Sequence, residues 1–502
     1  MLSTFFFNIF EEYGKINRME LKEEVFLDKF QKFCCNSLKL FIGIALFLIF
    51  ICSLGVFGAQ VKTNLELSIF LLLGVSLVTG VFIINSQLST KIKVVLLLTL
   101  SFLIRIWWIL NIDSVPVSDY ETMYLSAKEL LNGDYSAFRG FKYLARFPHL
   151  VCSTLYMALM ILIFPISHLF AIKIANVILS IISLILLYKL SDYFLKHEKV
   201  KLAVILLGGI YPAFIPYSST YCTENIAIPL FLGVMLLFMR ACKSNDIGKW
   251  LLCGIVLAIS DLFRAVGIVF LIAFVIYIFV FTQESKFRNS LILIASMLFT
   301  TFSVSLFLIS TGIIEKPLWQ GAEPSFATLM LKGSNATSYG KWNLEDAQFV
   351  EENLENKDLG KMCIEKSIDR IRQLSSLERI EFFATKFLSQ WSIGDFCGTY
   401  WATLETENEI VGTVPRNFQI AFSVIIFLSI LSIFVKNTPT STTIMYILLC
   451  GFGLVFMILE TQQRYSYICS WIFVILATQG IENIINWRVK NVKFFRRNNK
   501  RT

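Results

Sequence analysis

Long apolar runs separated by short polar punctuation dominate the chain. Runs of spanning character lie at 38–59, 65–85, 92–111, 171–190, 201–218, 226–241, 265–282, 289–311, 416–435, 441–459 and 466–486. A shorter one at 249–262 carries Asp261 and is followed closely by Arg264. A helix needs about 20 apolar residues to cross the hydrocarbon layer. The pattern therefore predicts an all-α polytopic membrane protein, a bundle of about 12 transmembrane helices. One polar, Trp-containing segment, 312–415, is far longer than an ordinary connection and predicts a large loop with its own structure. Between the third and fourth long runs, SDYETMYLSAKELLNGDYSAF places Tyr120, Tyr124, Ala127 and Leu131 at helical spacing, and NGD reads as a helix stop.

Composition sharpens the class. The chain has 502 residues, 56% hydrophobic and only 16% charged, with 47 Phe, which suits helices facing lipid better than a water-soluble core. The net charge of +9 is not a nucleic-acid signal, because much of it sits in the tail WRVKNVKFFRRNNKRT and in short loops, as the positive-inside rule requires. The 11 Cys lie mostly inside apolar runs without any CxxC pair and read as small hydrophobes. The Lys-rich N-terminal arm, STKIK, 189–201, 240–249, 285–290 and the tail are candidate cytoplasmic segments. They share one side only if 148–166 enters and leaves the membrane on the other side, so that Pro-flanked stretch is expected to be a juxtamembrane or re-entrant helix. The resulting organisation is a cytoplasmic amphipathic arm (1–37), two N-terminal helices (38–91) and a core (92–311) with a first outer loop at 112–148. The large outer loop (312–415), C-terminal helices (416–486) and a basic cytoplasmic tail (487–502) follow.

With that topology, acids and arginines distant in sequence meet on the extracytoplasmic face. Asp119 and Glu121 lie in the first loop, Glu224 after the turn YPAFIPYSSTYCTEN, and Arg464 in ETQQRY. A helix-capping role accounts for an acid at a helix start, yet a carboxylate at membrane level is a functional candidate by default. Arg105, inside a spanning run, is expected to snorkel to the interface or to pair with an acid, snorkelling being the cheaper of the two. Asn335-Ala-Thr is formally a glycosylation sequon.

The order of motifs resembles the GT-C membrane glycosyltransferases that use polyprenyl-phosphate sugars, closest to the protein O-mannosyltransferase and aminoarabinose transferase group (family 39-like). It runs SD-x-E-x-x-Y, R-F-P-H-L, LLYKLSDYFL, P-x-x-x-x-x-S-x-x-x-x-T-E-N, S-D-L-F-R and ETQQRY, over about residues 92–485. The resemblance implies a GT-C-type bundle in which an acid of the first outer loop, here Asp119 with Glu121 as its rival, activates the acceptor. Glu224 matches a second, assisting acid. Transfer from a phosphate-linked sugar needs an attacking hydroxyl, a base and cations for the leaving phosphate. Arginine suits that phosphate role, and Arg264, Arg464, Arg146, Arg139 and Lys142 are the candidates. His149, Tyr120 and Tyr465 are candidates for sugar or acceptor contact. FPHL has one Pro where the family usually has two, and the two helices ahead of the core are extra. No cofactor is required by these motifs, and no His/Cys cluster marks a metal site, although a divalent metal stays open.

The expected partners are a polyprenyl-phosphate sugar, the lipid bilayer and a glycan, lipid or protein acceptor, with no nucleic acid. The Lys/Asn/Ile-rich composition points to a bacterial cell membrane. A lipid-linked oligosaccharide polymerase or ligase, and a lipid-linked sugar flippase, are the competing readings. A flippase predicts inverted repeats and midplane charges, and the acids here cluster at one face instead.

Overall fold

The apolar runs fold as helices, and no strand occurs among the described residues. The computed structural model describes residues 2–56, 63–402, 414–434 and 439–498. The expected amphipathic face of the arm up to residue 26, the basic tail beyond 487 and loop residues 403–413 lie outside the residues whose side chains are described. Among the described residues, eight helices are long and apolar enough to cross a membrane: Leu27–Gly55, Leu65–Asn85, Thr90–Asn111, His168–Tyr193, Glu224–Ser244, Lys286–Ser310, Arg416–Ile433 and Thr440–Ile458. Three bent pairs raise the number to 11 among the described residues if each is one span. Large apolar side chains such as Phe47, Phe82, Phe299 and Phe307 stand exposed on these helices, as lipid-facing positions do.

Four of the expected 12 spans are not straight full-length helices: the runs at 249–262 and 265–282 form the shorter helices Ile247–Phe263 (17 residues) and Gly267–Phe281 (15 residues), and two others are broken. The run at 201–218 becomes the helix Glu198–Gly209 and the 3-10 segment Pro212–Ser219, bent by 55°. Pro212 and Pro216 remove backbone donors and cannot continue the helix. The run at 466–486 is bent by 58° between Gln463–Cys469 and Trp471–Trp487, with no proline at the break. In both breaks side chains satisfy freed carbonyls, as the low-dielectric setting demands. Ser218 Oγ donates to Ile215 O at 2.6 Å and Thr220 Oγ1 to Tyr217 O at 2.9 Å. Ser470 Oγ donates to Tyr467 O at 2.8 Å and Trp471 Nε1 to Ile468 O at 3.1 Å. The two breaks meet: Tyr217 and Tyr467 stack with ring centroids 3.8 Å apart.

Arg105 does not snorkel. Its side chain is fully buried and donates through Nη1 to Gly209 O (3.1 Å), through Nη2 to Gly208 O (3.2 Å) and through Nε to Ser180 Oγ (2.7 Å). A guanidinium at the carbonyl end of Glu198–Gly209 fills the place of a C-terminal cap in a helix that stops inside the bundle. Gly209 is required there, since a Cβ would run into Ser101.

The helix Val151–Ile163 has 13 residues, about 20 Å of length at about 1.5 Å per residue, against a hydrocarbon layer of about 30 Å. It meets the preceding Ser136–Arg146 segment at 111°. The two N-terminal helices clasp Arg416–Ile433. Gln419 Nε2 donates to Ser53 O at 3.0 Å, and Glu66 accepts from Asn417 Nδ2 at 2.6 Å and from the backbone N–H of Arg416. The long loop has helices at Ser325–Gly333, Leu344–Glu352, Leu359–Gln373 and Ser376–Trp391. They pack around Ala327, Leu331, Val350, Leu359 and Cys363.

Candidate active site

Asp119 opens the helix Asp119–Leu131, which ends before Gly133 at φ +83°. Neither Ser118 nor Asp119 serves as a cap: Ser118 makes no side-chain cap bond and holds φ +53°. The carboxylate faces Arg464 instead, with Nη2 donating to Oδ2 at 2.8 Å. The same guanidinium donates through Nη1 to the Tyr120 hydroxyl at 2.6 Å and through Nε to Gln462 Oε1. It lies over the rings of Trp401, Tyr120 and Tyr465, at 4.8, 5.2 and 5.8 Å from their centroids. Such contacts suit a weakly hydrated guanidinium held out of water.

A second pair stands beside the first. Glu224 opens the helix Glu224–Ser244 directly after the broken span. Its Oε1 lies 3.3 Å from Arg264 Nη2 and makes no hydrogen bond, while Oε2 accepts from Thr223 Oγ1 at 3.1 Å. Arg264 caps the helix Ile247–Phe263 and lies 5.0 Å above Tyr465. Tyr465 thus sits between two arginines. His149 lies within electrostatic reach of Asp119, Glu224, Arg264 and Arg464.

Two opposed effects set the Asp119 carboxyl. Burial raises it, but the charge and hydrogen bond of Arg464, a Tyr143 hydrogen bond and the more distant Arg264 outweigh burial and hold it below the ordinary carboxylate value. Asp119 is therefore ionised at neutral pH.

The other sequence candidates stand apart. Glu121 is exposed on the same helix. Arg146 is committed to the long loop, pairing with Glu323 at 2.8 Å and with Glu351 at 2.8 Å. Arg139 is exposed and donates to Gly312 O at 2.6 Å. Arg139 and Lys142 line an open cleft of about 640 Å³ with Tyr135, Ser136 and Phe141, outside the acid–arginine set. Asn335 of the sequon is buried, with Nδ2 donating to Asp346 at 3.1 Å, so it is not presented for glycosylation. Trp319 stacks on Phe302, and Trp391 packs on Phe456. Of the loop aromatics, Trp401 enters the site. Tyr143 and Gln462 also belong to it. Gln462 was signalled only by its place in ETQQRY, and nothing in the sequence singles out Tyr143. Among the described residues no group of three or more His, Cys, Asp or Glu is arranged to hold a metal.

Residues 150–309, which include Glu224 and Arg264, match the family model described as dolichyl-phosphate-mannose-protein mannosyltransferase. The resemblance to the GT-C membrane glycosyltransferases holds over that segment. The match covers residues 150–309 of the 502. Asp119 and Arg464 lie outside the matched segment, and their assignment rests on geometry. No curated protein sequence matches the chain. Among solved structures, the chain is similar to the Archaeoglobus fulgidus oligosaccharyltransferase tethered with an acceptor peptide, at 13% identity and a TM-score of 0.44 over 78% of this chain. It spans half of that protein's length (50%). It is also similar to ArnT from Cupriavidus metallidurans bound to undecaprenyl phosphate, at 12% identity and a TM-score of 0.35, covering 78% of this chain and 77% of that one.

Proposed function

We propose that the protein transfers a sugar from a polyprenyl-phosphate carrier to an acceptor on the extracytoplasmic face of the membrane. The observation that carries this reading is the convergence of two acid–arginine pairs, Asp119–Arg464 and Glu224–Arg264, at one aromatic-lined site built from four distant segments. Each arginine is a phosphate ligand already held by a carboxylate.

In this mechanism the donor phosphate engages Arg264 and Arg464. Arg464 shares itself with the phosphate, and the freed Asp119 carboxylate faces the acceptor hydroxyl. The acceptor oxygen attacks the anomeric carbon, its proton passes to Asp119, and the bond from that carbon to the phosphate oxygen breaks. The polyprenyl phosphate leaves as an anion neutralised by the two arginines. Glu224 holds Arg264 in place. The acceptor is a cell-envelope glycan, teichoic acid, glycolipid or protein.

The test uses the purified protein in liposomes with a polyprenyl-phosphate sugar labelled in the sugar. Asp119→Asn is expected to lower transfer by about 10²–10⁴-fold, the usual worth of a positioned base. Full transfer by both Asp119→Asn and Glu224→Gln overturns these roles. Movement of the donor across the bilayer with no transfer supports a flippase instead.

A further inference from the structure

Glu460 opens the turn that carries Arg464, and the mechanism above leaves it unused. It is 5% exposed. A carboxylate so placed has about four acceptor positions to satisfy, and among the described residues no group donates a hydrogen bond to it. Its nearest cation is Lys332 at 3.9 Å, an ion pair without a hydrogen bond. Lys386, the other cation in electrostatic reach, spends its Nζ on Gly333 O at 2.5 Å. The neighbouring Thr461 hydroxyl is buried with no partner either. The Glu460 side chain is nearly closed off from water and takes no donor from the described residues, so its acceptor positions are left for a ligand.

Position gives the vacancy a direction. Glu460 lies within electrostatic reach of Asp119 and Arg464, and its charge acts on Tyr465 more strongly than that of either arginine. The long loop clamps this turn rigidly: Thr461 N donates to Gly340 O at 2.7 Å, and Gln390 Nε2 to Gln462 O at 2.7 Å. The backbone therefore presents an acid and an arginine four residues apart to the same site. The arginine suits a phosphate; the acid suits what the phosphate carries.

Building on the donor reading above, we propose that Glu460 is a specificity-determining residue. Its carboxylate accepts hydrogen bonds from donor groups, hydroxyl or amino, on the sugar attached to the lipid phosphate. Lys332 balances its charge without competing for its lone pairs.

The experiment compares two probes on the full-length protein: undecaprenyl phosphate alone, and undecaprenyl phosphate bearing a hexose or an amino-pentose. Binding is read by titration in detergent, with thermal unfolding as a check on folding. Wild type is expected to bind a sugar-bearing probe more tightly than the bare lipid phosphate. Glu460→Gln and Glu460→Ala are expected to weaken the sugar-bearing probe by roughly 10- to 100-fold, the worth of a charge-assisted hydrogen bond. Both are expected to leave the bare lipid phosphate within about twofold. A preference for an amino-sugar probe that vanishes in Glu460→Gln identifies the amine as the recognised group; a loss shared by all sugars identifies hydroxyls. The proposal is overturned if the variants bind sugar-bearing probes as wild type does, or lose bare lipid phosphate equally, which makes Glu460 a support for Arg464. Wild type binding no polyprenyl phosphate of any kind instead overturns the donor reading, and this inference with it.

Discussion

Replacing Arg464 with Gln separates a tuned base from an ordinary buried acid. Burial alone pushes the Asp119 carboxyl up, and the Arg464 charge, 2.8 Å from Oδ2, is the first of the groups that bring it back below the usual value. In Arg464→Gln the burial stays and the main counter-charge goes. An opposite charge at this range lowers a carboxyl by about 1–3 pH units. With 36% of the Asp119 side chain open to solvent, the lower part of that range applies, roughly 1–2 pH units. The assay is kcat/KM for sugar transfer against pH, which reports ionisations of the free enzyme. Wild type is expected to keep its activity on the acid side down to about pH 4, the ordinary carboxylate value, because Asp119 ionises below it. Arg464→Gln is expected to lose overall rate, having lost a phosphate ligand, and its acid limb is expected to rise by roughly 1–2 pH units. Arg464→Lys keeps the charge and is expected to keep the limb near its wild-type position. The same linkage acts on stability. A carboxyl depressed in the fold stabilises it above its unfolded value of about 3.9, and that contribution disappears as pH falls through the folded value. A limb that ignores Arg464→Gln, or that persists unchanged in Asp119→Asn, refutes Asp119 as the base.

Arg105→Met strips the donors from Gly208 O and Gly209 O. Each orphaned carbonyl costs about 1–3 kcal/mol, partly offset by removal of a buried charge, so a net loss of about 2–4 kcal/mol is expected. It reads as a lower unfolding midpoint in detergent, and an unchanged midpoint refutes the capping role. Lys386 is fully buried and brought down to about 7 by that burial, against the charge of Glu460. The folded state therefore binds fewer protons than the unfolded chain between about pH 7 and 10.4. Wild-type stability is expected to rise through that window, with the full penalty present below it, and Lys386→Met is expected to lack the rise. A wild-type midpoint that is flat from about pH 7 to 10 refutes it. Gln390→Leu removes the donor to Gln462 O and Ser466 Oγ, both at 2.7 Å. The loosened Arg464 turn is expected to lower transfer by about 10²-fold, as small misplacements do, and transfer at the wild-type rate argues against that support.

The sequence exposed the ingredients of this site more readily than their pairing. Asp119, Glu224, Arg264 and Arg464 are each conspicuous because an ionisable group at the end of an apolar run has few cheap explanations. Arg146 looks equally eligible in the sequence, and its distinction is purely spatial: Glu323 and Glu351, 177 and 205 residues away, consume it. The breaks that aim the site divide in the same way. Pro212 and Pro216 announce one, because a missing N–H is written in the residue type. The other, at 463–469, has no proline, and its carbonyls are met by Ser470 and Trp471, whose apolar surroundings read as an uninterrupted helix. Arg105 shows the same limit from the other side. Snorkelling is the inexpensive fate of an arginine near a helix end only where that end faces the interface. Here a neighbouring helix stops inside the bundle and offers bare carbonyls, so burial becomes favourable. One broken helix thus makes the arginine's position intelligible, and the stack of Tyr217 on Tyr467 ties it to the other break. The two turns that bear Glu224 and Arg464 are in this sense one structural decision. A change that straightens either helix is expected to pull both acid–arginine pairs apart together.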